Sequence, residues 1–182
     1  MKITRTLYVP VRKAWRAWLK KNHKTEKEIW LVYYNKSSGK ERVPYNAAVE
    51  EALCFGWIDS TVKKIDSESF AQRFTPRNPK SPWSEMNKER ARRLIAAKKM
   101  TKAGLALLGN VHEEEFTIAA DILKALKKDK ETWQNFQQFP ESYKRIRIGF
   151  IHASRNRPEF FKKRLAYFLK MTKQNKMFGM MK

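Results

Sequence analysis

Cysteine is nearly absent. Cys54 is the single thiol in 182 residues, which excludes an intrachain disulfide and any cysteine-based metal site. One thiol in a lysine-rich chain fits a reducing compartment, so a cytoplasmic location is expected. Glycine is scarce and scattered, and its six positions form neither a P-loop nor a dinucleotide-binding pattern. The three histidines, His23, His112 and His152, lie in unrelated segments without metal-ligand spacing. None of them makes a recognisable pairing with Cys54. A cysteine between Leu53 and Phe55 on a helical face reads as a small core hydrophobe. No cofactor and no metal are expected. No apolar run approaches the roughly 20 residues that span a bilayer, and Leu7-Tyr8-Val9-Pro10 is too short for the apolar region of a signal peptide. Acidic residues are also few, 18 against 40 Lys and Arg, for a net charge of +22.

What is present is a well-patterned globular sequence. Aromatics at 13% supply the burial that a disordered chain lacks, and the length suits one large domain or two small ones. Trp15, Trp18 and Leu19 mark an amphipathic helix over 12–22. The run Ile29 to Tyr34 reads as a buried strand that ends at a Ser-Ser-Gly-Lys turn. Pro44 suits the first turn of the next helix, whose face is Tyr45, Ala48, Val49, Ala52 and Leu53. Gly56 ends it. Residues 57–65 and 69–75 form two strands around the three-residue loop Asp66-Ser67-Glu68. Three prolines make 76–82 irregular. A helix is expected from Ser84 to about Lys99, and a short one from Thr101 to near Gly109.

Composition shifts at 110–117, where Glu113-Glu114-Glu115 reads as a solvated linker. Four helical faces follow: Ala119, Ile122, Leu123 and Leu126; Trp133, Phe136 and Phe139; Tyr143, Ile146, Phe150 and Ile151; Phe161, Leu165, Phe168 and Leu169. The expected fold is α+β, a small antiparallel sheet with flanking helices over 1–110, followed by an all-helical subdomain over 111–182.

Three stretches carry chemistry. If residues 65 and 69 close the hairpin loop, Asp59 lies opposite Thr75 and diagonal to Arg73 and Arg77. One face then gathers Trp57, Asp59, Arg73, Thr75 and Arg77, and two guanidinium groups beside an aromatic ring suit a carboxylate or phosphate. The alternative is a structural Asp59–Arg73 ion pair under Trp57. The second stretch is the helix start at Trp83-Ser84, which either receives an anion or is simply capped by Ser84 with Trp83 as a hydrophobic staple. The third is the basic tail. Nine Lys and Arg and one acid, Glu159, lie between Arg155 and Lys182, interleaved with Phe160, Phe161, Tyr167, Phe168 and Phe178. Such a segment binds single-stranded nucleic acid or anionic lipid, or is a core helix with a solvated basic side.

Residues Glu50 to Asp59, Gln72 to Arg77 with Trp83-Ser84, and Met100 to Gly104 resemble, in this order and spacing, the YdeI/OmpD-associated (bacteriocin-protection) family. The helical tail from about Ile118 to Lys176 is similar to that family's C-terminal domain. The family usually carries Gly after Trp-Ile-Asp, where this chain has Ser60. It carries Glu-Thr-Arg where this chain has Glu159-Phe160-Phe161. The resemblance implies protection against bacteriocins or cationic envelope stress in bacteria, and no established reaction.

A non-enzymatic protection or ligand-binding role is therefore expected, with an anionic small molecule or a protein as partner. The alternatives are a nonspecific nucleic-acid-binding module and an enzyme built on the Asp59/Arg73/Arg77 face. The charge predicts weak, sequence-indifferent association with duplex DNA, on the order of 10⁻⁴–10⁻⁶ M at physiological salt. Titrating two unrelated duplexes at several salt concentrations checks this, and a preference above about a thousandfold for one sequence contradicts it.

Overall fold

A computed structural model describes residues 2–110 and 113–179. The elements in order are β1 (Thr6–Leu7), α1 (Arg12–Asn22), β2 (Ile29–Tyr34), a 3₁₀ turn at Lys36–Ser38, α2 (Tyr45–Cys54), β3 (Trp57–Lys64), β4 (Ser69–Pro76), α3 (Glu85–Ala96), α4 (Lys102–Leu108), α5 (Ala120–Lys127), α6 (Lys130–Gln138), α7 (Glu141–His152) and α8 (Pro158–Lys173). The chain divides into two compact units. One comprises 1–82 and 90–112, and the other 83–89 and 113–182. The first turn of α3 therefore counts with the helical unit, which composition gave no reason to expect.

The first unit holds a four-stranded sheet in the order β1-β2-β4-β3. β2, β4 and β3 are antiparallel neighbours, as the hairpin reading requires. β1 adds in parallel to β2, so the sheet is mixed rather than purely antiparallel. The parallel pair is possible because α1 supplies the crossover that such strands need. Trp15 and Leu19 of α1 are buried, and the Trp15 ring meets Phe74 of β4 at 5.2 Å. The Trp15 indole N–H donates to the Ala48 carbonyl at 3.0 Å, which ties α1 to α2.

A charged clasp reinforces that tie. The Glu51 carboxylate, buried on α2, accepts from Arg12 at 2.5 Å and Arg16 at 2.6 Å. Burial works against both guanidinium charges, and the Glu51 contacts outweigh it, so both arginines are held above their ordinary range. A carboxylate this deep is tolerable only because it is paired. Cys54, one turn on, is fully buried, and desolvation pushes its thiol up.

The end of α2 is where local sequence shows most directly. Gly56 adopts φ +75°, a conformation that costs a side-chain-bearing residue energy. Thr101 caps α4 by accepting from Gly104 N–H at 3.4 Å, and its hydroxyl donates to the Cys54 carbonyl at 2.6 Å. Gly104 lies against the same turn: a Cβ there would come within 2.5 Å of the Cys54 carbonyl oxygen. α3 ends at Ala96, short of the expected Lys99, and Lys98 turns to φ +55°.

The helical unit closes on Ile122, Leu126, Phe136, Phe139, Tyr143, Ile148, Ile151 and Phe168, with Phe161, Leu165 and Leu169 packed against them. Phe150 departs from the expected core face: it is 51% exposed, because Ile148 and Ile151 take the inward positions of α7. Glu114 of the acidic run pairs with Lys88 at 2.6 Å rather than being merely solvated. His112 lies outside the described residues.

Gly104→Ala should lower the melting temperature, with a loss of about 1–3 kcal/mol from overpacking. A chemical denaturation series checks it. An unchanged midpoint would mean that α4 does not seat on α2 as described.

Candidate functional site

The hairpin forms, but a bulge in β3 redistributes the residues expected on one face. Near the loop the register is the expected one, with Lys64 opposite Phe70 and Val62 opposite Gln72. Between Asp59 and Val62 the strand carries one extra residue, and Asp59 then pairs with Phe74, not Thr75. A β-bulge of this kind reverses the sidedness of everything beyond it. The buried Gln72 side chain donates to the Ser60 carbonyl at 3.0 Å, replacing a ladder bond lost at the bulge.

The five hairpin residues are consequently separated. Trp57 is buried, its ring edge-on to Trp18 at 5.9 Å and its indole N–H donating to the His23 carbonyl at 3.1 Å. Arg73 pairs with Glu28, its Nε donating at 2.6 Å. The Thr4 hydroxyl and Arg73 together hold the Glu28 carboxyl below its ordinary range, so the pair stays ionised. Arg73 borders an open groove of about 690 Å³ with Thr4, Arg5, Thr25, Glu26 and Lys27. The Arg5–Glu26 pair at 2.7 Å also lies along it. Thr75 lies opposite Ile58. Arg77 is buried and turns its guanidinium onto the carbonyls of Ser81 and Pro82, at 3.0 and 2.7 Å. It fastens the proline-rich loop instead of facing Asp59. The expected Asp59/Arg73/Arg77 cluster is thus dissolved. In the helical unit, the Ser84 hydroxyl accepts from Asn87 N–H at 3.3 Å, the capping geometry, and Trp83 is half-buried.

The bulge gives Asp59 different company. It accepts from the Tyr45 hydroxyl at 2.7 Å. Tyr33 lies close enough that Tyr45 and Asp59 both oppose its ionisation. The Tyr33 ring stacks on Phe70 at 5.3 Å. Its hydroxyl is buried and makes no hydrogen bond among the described residues. Arg90, buried on α3, donates to the Asn46 side-chain oxygen at 2.8 Å. Burial works against its charge, while Tyr45, Asp59 and Glu50 favour it. Burial and the Asp59 contact push the Tyr45 phenol up to about 12, and burial foremost pushes Tyr33 up as well. Both hydroxyls are therefore neutral donors across the physiological range.

This cluster draws on four elements, β2, α2, β3 and α3, and only Asp59 was a sequence candidate. In the sequence Tyr45 reads as part of an apolar helical face and Tyr33 as part of a strand run. One signal was available: Arg90 falls on the same α3 stripe as Ala91 and Leu94, a charge where the helix should be apolar. Among the described residues no group of three or more His, Cys, Asp or Glu could hold a metal ion, and no helix is long and apolar enough to cross a membrane.

Tyr33→Phe keeps the ring and removes a buried hydroxyl without a partner, so it should stabilise the ligand-free protein by about 1 kcal/mol. A lower melting temperature contradicts this. The raised phenols also set a pH response. The folded state holds protons that the unfolded state releases from pH about 10, so stability should be complete below pH 10 and fall toward pH 12. Tyr45→Phe should flatten that fall in melts taken across the range.

Two family descriptions match the chain. Residues 7–107 match a domain of unknown function (DUF8412). Residues 115–175 match the family described as Bacteriocin-protection, YdeI or OmpD-Associated. The motifs at 50–59, 72–84 and 100–104 lie in the first of these spans, and the second is confined to the helical unit. No curated protein and no solved structure matches the chain. More than half of the sequence lies in the first match, so the chain belongs to the domain family of unknown function (DUF8412), and within its helical unit residues 115–175 are similar to the YdeI/OmpD-associated, bacteriocin-protection family.

Proposed function

We propose that the chain serves in protection, the role named in the description that residues 115–175 match, and does so as a binding protein that captures a small oxyanion-bearing ligand at the Tyr33–Tyr45–Asp59–Arg90 cluster. The observation that carries this reading is the Tyr33 hydroxyl, buried without a hydrogen-bond partner among the described residues, beside the Tyr45–Asp59 bond. An unsatisfied buried donor costs free energy, about 1–3 kcal/mol, and a ligand acceptor would recover it.

The chemistry of the ligand follows from the groups around that donor. Tyr33 offers an O–H donor to an anionic oxygen, and the Arg90 charge, favoured by Tyr45 and Asp59, lies close by. Asp59 spends one of about four lone-pair sites on Tyr45 and keeps the rest for a donor on the ligand. A molecule with a carboxylate and a neighbouring amine or hydroxyl meets both demands. Phenols held neutral are poor bases and good donors, which favours recognition over proton transfer at this cluster.

Thermal shift with glycine, lactate, acetate and inorganic phosphate tests the reading. Glycine or lactate should raise the melting temperature more than acetate does, and Asp59→Asn should erase that difference. Loss of bacteriocin survival in cells carrying Asp59→Asn should accompany it. If none of the four probes moves the wild type, or Asp59→Asn responds as the wild type does, the cluster is not a ligand site.

A further inference from the structure

The helical unit spends its apolar surface inward and still leaves three large rings outside. α8 directs Phe161, Leu165, Phe168 and Leu169 into the core. Its other side carries Phe160, 55% exposed, and Tyr167, 50% exposed, with Arg164 between them. Spacings of four and three residues put these side chains in one stripe. Phe150 of α7 extends the stripe: the Arg164 guanidinium lies 3.7 Å from its ring centroid and donates to its carbonyl at 3.0 Å. Arg157 lies over the Phe160 ring at 5.0 Å. The Tyr167 ring is held edge-on by Phe178 at 4.8 Å. Lys162 pairs with Glu159 and Lys173 with Asp129, which leaves Lys163 and Lys170 as the α8 lysines without an ion pair among the described residues.

We propose that this stripe is a binding face for single-stranded nucleic acid. Unpaired bases expose planar surfaces that stack on aromatic rings and on guanidinium planes, while lysines track the phosphates. Phe150 with Arg164, and Phe160 with Arg157, present such planes already assembled and held by contacts within the unit. A duplex keeps its bases stacked internally and can use only the lysines. An anionic bilayer requires an amphipathic helix to offer its apolar face, and the apolar face of α8 is occupied by the core. Sequence preference is weak, because every base has a face to stack. The proposal is independent of the ligand cluster in the other unit.

Fluorescence anisotropy of the full chain with a 12-nucleotide oligo(dT) and a 12-base-pair duplex tests it. Inorganic polyphosphate and phosphatidylglycerol-containing vesicles serve as competitors. The wild type should bind the single strand at least about tenfold more tightly than the duplex at equal salt. Phe160→Ala with Tyr167→Ala, and separately Phe150→Ala, keep every charge. Each should weaken oligo(dT) binding by about tenfold or more and leave polyphosphate affinity unchanged. Equal losses for both ligands would mean that the rings serve only the fold. A duplex bound as tightly as the single strand would reduce the face to charge alone. Vesicle binding abolished by the same variants would assign it to a membrane. Each of these outcomes overturns the proposal, and the wild-type comparison decides even where a variant fails to fold.

Discussion

One extra residue in β3 governs the chemistry of the first unit. Without the bulge between Asp59 and Val62, Asp59 would share a side with Arg73 and Thr75. With it, Asp59 lies across from Phe74 and meets Tyr45 of α2. The cost of a broken ladder bond is offset by Gln72, whose side chain reaches the Ser60 carbonyl. A glutamine buried in the centre of a sheet would otherwise be an anomaly. The bulge also leaves Arg73 to Glu28 and Arg77 to its own loop, so three charged groups that look like one site are three separate structural contacts.

The two kinds of buried polar group in this unit contrast in a useful way. Glu51 and Gln72 are satisfied inside the fold by arginines and a bulge carbonyl. The Tyr33 hydroxyl is not. Desolvation is expensive for all of them, and the Tyr33 hydroxyl is one of several side-chain atoms buried without a hydrogen bond among the described residues; its surroundings set it apart. It sits where a carboxylate, a second phenol and an arginine converge from different elements.

The net charge of +22 takes a definite form in the helical unit. Basic side chains there do not merely solvate a surface. Arg157 and Arg164 lie over exposed rings, whereas Arg147 is buried against Tyr143 and Phe178. In the first arrangement the rings stay half-exposed, and in the second they are buried or covered. The separation follows from helix geometry. On α8, positions 161, 165 and 168 point inward, so the rings at 160 and 167 must point outward.

Sequence by itself determined the helices and three of the four strands; β1 is two residues long, carries no pattern of its own and is defined by its pairing with β2. Pro44, Gly56, Thr101 and Gly109 are punctuation whose effect is local: a fixed φ, a positive φ or a capping hydroxyl acts within one turn. Hydrophobic period likewise reports which side of a helix is buried, which is why the inward set of α8 was legible. Tertiary structure decided the sites. Whether Asp59 faces Arg73 or Tyr45 depends on a single inserted residue with no local signature, since Ser60 and Thr61 are ordinary strand residues. Whether Phe150 enters the core depends on which of two adjacent helical stripes meets the neighbouring helices. Register and facing are properties of pairs of elements, and a pattern within one element carries no information about its partner.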